Sequence, residues 1–96
     1  MKLHIVNCAP DAGRVVQQAL SAMTTDDRLL LIEDGVQGAL PSLVDGFSGI
    51  EGRLYVLRED LEARGLMSRH DDRVTVVDVD GFVTLTEQAE QTLSWY

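Results

Sequence analysis

Cysteine is almost absent from this chain: Cys8 is the one thiol in 96 residues. No intrachain disulfide can form, and the chain reads as one suited to a reducing cytoplasm. Basic residues are scarce as well. Eight Lys and Arg stand against sixteen Asp and Glu, for a formal charge of −8. Nucleic-acid binding needs Lys and Arg in patches against phosphate, so the balance argues against direct contact with nucleic acid and with an anionic membrane surface. No apolar run approaches membrane-spanning length, and the opening "MKLHIVNCAP" has too short an apolar stretch before Pro10 for a signal-peptide core. Histidine is limited to His4 and His70. The segment "RHDD" (Arg69 to Asp72) offers a nitrogen and carboxylate oxygens but no second histidine and no thiolate, so it reads as a solvated loop and no metal is expected.

The motifs of nucleotide and acyl chemistry are missing too. "GFSGIEG" has no lysine and lacks the phosphate-loop spacing, no G-x-G-x-x-G follows the first apolar segment, and "DGVQG" offers only G-x-x-G. Gly46-Phe47-Ser48-Gly49 misses the G-x-S-x-G spacing by one residue. No cofactor is expected. The length suits a single domain over residues 1–96, with a core small enough that a partner subunit would add useful stability. The apolar share of 45% and charged share of 25% are those of an ordinary globular protein.

What is present is an alternation of strand and helix signals. Leu3 to Val6 is a short β-type run closed by "NCAPDAG", whose Pro10, Asp11 and Gly13 suit a strand-to-helix turn. Val15, Val16, Ala19, Leu20 and Met23 then recur at helical spacing, and "TTDD" (Thr24 to Asp27) ends that helix, placed over Ala12 to Met23. Leu29 to Ile32 is uniformly apolar, as a strand buried on both faces of a parallel sheet should be. Gly35 to Val44 reads as a short, weak helix, with Pro41 either kinking it or starting its final turn. The glycine-rich "DGFSGIEG" reads as a loop, Leu54 to Leu57 as a strand, and "REDLEARG" as a helix with acids in its first turn and Gly65 as its C-terminal cap. After a polar loop from Met67 to Asp72, Val74 to Val77 reads as a strand. Asp78 or Asp80 then caps a last helix, with Phe82, Leu85, Ala89 and Leu93 on one stripe. The alternation implies right-handed β-α-β crossovers and an α/β fold on a mostly parallel sheet of four to five strands.

Three places could carry function. "LLLIEDGVQGAL" drives an apolar strand into Glu33 and Asp34, the carboxyl edge where open α/β sheets hold ligands. A carboxylate there can also simply accept N–H bonds from the next turn, and Asp-Gly is a common turn pair. Cys8 lies at the same edge, just before a helix start that would favour its thiolate. No Lys or Arg lies within five residues of it in the sequence, and an inert, partly buried thiol is the simpler reading. His4 sits within a strand and reads as a packed or interface histidine. The closing "TLSWY" places Trp95 and Tyr96 either at an interface or back against the core.

Taken together, "LHIVN-x-x-P", "LLLIEDGV-x-x-AL", "LYVLREDLEARGL" and "VTVVDVDGFVTLT" with a terminal Trp resemble the TusB/DsrH family of sulfur-relay proteins. The match runs in order along nearly the whole chain. The resemblance implies a DsrE-like three-layer sandwich with helices on both faces. It implies assembly with TusC- and TusD-like sister subunits into a heterohexamer that passes persulfide sulfur to a TusE/DsrC-like acceptor. The end product in that branch is the 2-thiolated wobble uridine of tRNA; in the DsrEFH branch the same architecture serves sulfur oxidation. The reactive cysteine of the relay belongs to the TusD/DsrE-type subunit, so the resemblance implies a non-catalytic role here, with Glu33, Asp34, Gly35, Phe82 and Trp95 as interface candidates. Some DsrH-type members carry a cysteine in the first helix, but this chain has none there, so that role does not transfer to Cys8. Where relatives often show Lys-His after "FV-x-LT", this chain reads Glu87-Gln88-Ala89-Glu90. Two other readings stay open: Cys8 as a persulfide carrier, and a homo-oligomeric binding module.

Overall fold

Apolar segments such as Leu29 to Leu31 and Leu54 to Leu57 can be satisfied only where both sheet faces are covered, and they form the middle of the sheet. A computed structural model describes residues 1–11 and 13–96. Its strands are β1 (Lys2–Val6), β2 (Arg28–Leu31), β3 (Leu54–Leu57), β4 (Thr75–Val77) and β5 (Gln91–Trp95). They lie in the order β4-β3-β2-β1-β5. Every pairing is parallel, with Val6 beside Leu31 and Trp95, and Leu31 beside Val56. The helices are α1 (Val15–Ala22), α2 (Arg58–Ala63) and α3 (Val79–Gln88). No helix among the described residues is long and apolar enough to cross a membrane.

The two faces are covered unequally. On one, Val6, Leu29, Leu31, Leu54 and Val56 pack with Ala19 of α1, Leu61 of α2, and Val36, Ala39, Val44 and Phe47 of the segment between β2 and β3. On the other, Leu3, Ile5 and Leu30 meet Leu85 of α3, with Phe82, Tyr55 and Val77 packed around them. The result is the expected α/β sandwich with helices on both faces, and its sheet is wholly rather than mostly parallel.

Two local expectations are corrected. The weak helix placed over Gly35 to Val44 is two 3₁₀ segments, Glu33–Ala39 and Val44–Phe47, separated by an extended Leu40. Glycines lower helix propensity there, and their missing side chains are used for close packing. A Cβ on Gly38 would lie 2.7 Å from the Phe47 ring, and one on Gly35 would run into the Val6 carbonyl oxygen. The last helix does not reach Leu93. It stops at Gln88, Ala89 turns extended, and Gln91–Trp95 pairs along β1 as the fifth strand. Leu93 fits the helical stripe, but the open flank of β1 offers a full backbone ladder to a segment rich in β-formers. The first helix begins at Val15, and its expected start at Ala12 lies outside the described residues. By contrast, Asp78 is the cap of α3, its Oδ1 accepting the Gly81 N–H at 2.8 Å.

One buried polar cluster crosses the larger core. Asp27, 1% exposed, accepts the Lys2 N–H at 2.9 Å, the Thr24 N–H at 3.1 Å and the fully buried His4 Nε2 at 3.0 Å. On the far side of the ring, His4 Nδ1 accepts the Trp95 indole N–H at 3.0 Å. The indole can only donate, so Nδ1 is the bare nitrogen and the ring proton sits on Nε2, toward Asp27. Burial pushes the Asp27 carboxyl up, but the Lys2 N–H, the His4 ring and the Thr24 N–H outweigh it and hold the group well below its ordinary value.

Two outcomes follow for stability. Asp27→Asn should cost about 2–4 kcal/mol at pH 7, because it sets an amide against buried donors. A depressed carboxyl contributes its full stability above its unfolded value of about 3.9 and loses it as pH falls through the folded value, so the deficit should shrink below about pH 4. Urea melts of both proteins across that range check this; a deficit that does not vary with pH contradicts it. Gly35→Ala should cost about 3 kcal/mol through the forced shift of β1 against the turn. Gly46→Ala, where an added Cβ meets nothing within 4 Å, should stay within about 0.5 kcal/mol of the parent.

Candidate functional site

Because all five strands run the same way, their carboxyl ends share one edge, the position at which open α/β sheets present functional groups. From β1 the chain delivers Asn7 and Cys8; from β2 it delivers Ile32, Glu33 and Asp34; β5 ends there with Trp95 opposite Val6. The Ile32 N–H donates to the Val6 carbonyl at 3.0 Å, carrying the β1–β2 ladder one step beyond the strand. Gly35 then folds back under the end of β1, and a Cβ there would also lie 3.3 Å from the Cys8 carbonyl oxygen. The turn bearing the two carboxylates is thereby pressed against the backbone of the segment bearing the thiol.

The turn is held in an uncommon conformation. Glu33 has φ +50°, in the left-handed region that non-glycine residues enter at some cost. Its N–H donates to Asp60 Oδ2 at 2.6 Å, so the first turn of α2 fixes the strained residue. Next to it, Asp34 Oδ1 accepts both Nε and Nη2 of Arg64 at 3.1 Å. Arg64 Nη1 also lies 3.9 Å from Asp60 Oδ1. Asp34, Asp60 and Arg64 thus form one network that clamps the β2 turn to α2. These groups are engaged in positioning, and no carboxylate of the network stands opposite another as an acid–base pair. The Glu33 side chain itself is exposed.

Cys8 is a free, partly buried thiol packed against the larger core. It shares the carboxyl edge with Glu33, Asp34, Gly35 and Trp95. Phe82 does not belong to this group: it sits on α3, against the opposite face. Trp95 turns inward onto His4, with the ring centroids 6.1 Å apart and the planes 18° from parallel, while Tyr96 is 83% exposed. Within "RHDD", His70 and Asp71 are committed elsewhere. His70 Nδ1 lies 2.7 Å from the Met67 carbonyl, and the Arg73 guanidinium holds Asp71 and draws its carboxyl down to about 2. No cluster of metal-ligating side chains is found among the described residues.

Asp60, Arg64 and Asp27 escaped the reading of the sequence as site-forming residues. Asp60 and Arg64 look like the ordinary end charges of a short helix, and Asp27 looks like part of a polar turn. A histidine inside an apolar strand was the one available signal for Asp27, since a buried imidazole needs partners for both nitrogens.

Comparison with known proteins gives this geometry its context. The DsrH family, described as DsrH like protein, matches residues 10–92. Protein TusB of Erwinia tasmaniensis is 39% identical over 82 residues, spanning 79% of this chain and 82% of that protein. Protein TusB of Pectobacterium parmentieri is 36% identical over 95 residues, spanning 97% of this chain and 99% of that protein. The crystal structure of the ychN protein from E. coli has the same fold, with a TM-score of 0.81 over 97% of both chains at 16% identity. With the family matched over residues 10–92 and relatives 36% and 39% identical over 97% and 79% of the chain, the chain belongs to the DsrH family.

Proposed function

We propose that this chain is a non-catalytic subunit of a TusBCD-like sulfur-relay complex. In this reading it assembles in the cytoplasm with TusC- and TusD-like sister subunits as a heterohexamer. The complex passes persulfide sulfur to a TusE/DsrC-like acceptor, toward 2-thiolation of the tRNA wobble uridine. Relatives named TusB at 36% and 39% identity support it. The observation that carries the non-catalytic part is the use of the carboxyl edge: Asp34, Asp60 and Arg64 are tied to one another and to the Glu33 backbone. What they yield is a rigid acidic rim beside Cys8, a surface fitted to be held by a neighbour. The formal charge of −8 fits a subunit that reaches tRNA only through its partners.

Reconstitution with the two sister subunits, a persulfide donor and labelled sulfur tests the proposal. The chain should be required both for assembly and for transfer to the acceptor, and Cys8→Ser should transfer at about the parent rate. Unchanged assembly and transfer without the chain would sink the proposal, and loss of transfer in Cys8→Ser would make the chain a sulfur carrier instead. Function with DsrE- and DsrF-type sisters and a DsrC-type acceptor alone would move it to the sulfur-oxidation branch. Asp34→Ala separates folding from docking: the isolated chain should lose less than about 1 kcal/mol, as exposed ion pairs do, while its association with the sister subunits weakens.

A further inference from the structure

Among the buried groups that the sulfur-relay reading leaves unused, His4 is the most constrained. It is fully buried in the middle of β1, and each of its ring nitrogens has one partner: Asp27 Oδ2 on Nε2 and the Trp95 indole N–H on Nδ1, both at 3.0 Å. The two partners ask opposite things of the ring. A buried carboxylate favours a charged imidazolium, with a proton on each nitrogen. The indole, a donor without any acceptor, requires that Nδ1 stay bare. We propose that this opposition makes His4 and Trp95 a proton-sensitive latch on the edge strand β5.

Cys8 packs on the same core as Trp95, and among the described residues no ionisable side chain besides Asp27 is bonded to the His4 ring. Arg53 reaches the same turn, but its Nη1 is engaged by the Asp27 carbonyl at 2.8 Å and the Thr24 carbonyl at 3.0 Å. Neither α1 (Val15–Ala22) nor β5 (Gln91–Trp95) contains a titratable residue. From β2, Arg28 turns toward Tyr55, its guanidinium carbon 5.7 Å from the ring centroid, among the residues of the opposite face. The N-terminal amine is paired with Asp26 and Glu90, and Lys2 is exposed.

The step is one proton. With Nε2 already protonated toward Asp27, a proton taken from water can go only to Nδ1. Two N–H donors then face each other at a distance set for a donor and an acceptor. The indole gives up its bond and the Trp95 ring swings away, while His4 and Asp27 remain together as an ion pair. Trp95 lies beside Val6 in the last rung of the β1–β5 ladder, so its release loosens the carboxyl end of β5, a strand paired on one side only. The latch is closed at higher pH and opens as pH falls. This inference does not depend on the sulfur-relay reading.

Trp95 is the single tryptophan of the chain and His70 the only other histidine, so nitrogen-15 NMR of the whole protein reports on both partners without variants. Titrating from about pH 8 to about pH 5 covers the range in which imidazole charge changes. At the upper end His4 Nδ1 should show the shift of an unprotonated acceptor. The indole N–H resonance should then move or broaden with the same midpoint as the His4 ring. Trp95→Phe keeps an aromatic ring at the position and removes the donor that holds Nδ1 bare, so His4 should take up its proton at higher pH in that variant. An indole resonance that stays fixed while His4 titrates overturns the latch. So does a His4 ring that remains neutral until the chain unfolds, or a titration unchanged in Trp95→Phe.

Discussion

Four of the five strands are tied through one residue, Asp27. Its carboxylate takes the N–H of Lys2 at the start of β1, the ring of His4 in the middle of β1, and the N–H of Thr24 just beyond α1. Its carbonyl takes Arg53, which immediately precedes β3, and through His4 it reaches Trp95 of β5. Asp27 itself leads into β2. A buried carboxylate is costly unless it is well bonded, and here the bonds that satisfy it fix the start of β1, its middle and the α1–β2 crossover. The parallel register depends on this arrangement, because parallel strands have no hairpin turns to set their offset.

With the sheet fixed at its amino end, the unequal coverage of its faces becomes the main feature of the surface. The larger core lies under α1, α2 and the two 3₁₀ segments, whereas α3 alone covers the opposite face. Val79 and Val83 on α3 remain 49% and 48% exposed. A domain of this size buries a modest fraction of its chain, and a second layer reduced to one helix leaves apolar surface that association would cover. This agrees with a subunit role, although Phe82, the interface candidate on that helix, spends part of its surface on the chain's own core.

The parts of this structure legible in the sequence are those decided locally. Leu29 to Leu31 and Leu54 to Leu57 are unbroken apolar runs, Leu3 to Val6 is interrupted only by His4, and runs of that length between turn signals have few alternatives to buried strands. Asp78 as a cap and Gly65 as a stop are likewise local chemistry. Leu93 marks the boundary of that method. Phe82, Leu85, Ala89 and Leu93 satisfy the helical period, and only the vacant flank of β1, some ninety residues away in sequence, draws Gln91–Trp95 into a strand. The site shows the same division. Glu33, Asp34 and Gly35 could be placed at a strand end from sequence, but not the left-handed Glu33 backbone or its bond to Asp60 across 27 residues. His4 could be read as packed, whereas its partners stand 23 and 91 residues away.

The clamp on the β2 turn bears on how such a rim could work in an assembly. The Asp34–Arg64 pair is solvent-exposed, and in water such pairs contribute little to folding. Its geometry is nevertheless two-pronged and already formed, with the turn beneath it fixed by Gly35 against β1 and by Asp60 against Glu33. A neighbour that covers the rim removes water from charges that need not reorganise, so less ordering cost falls due on binding. The lower local dielectric then strengthens the bond the pair already makes. The left-handed Glu33, the close approach at Gly35 and the preformed ion pair hold the rim in one geometry, and none of them requires the nearby thiol to react.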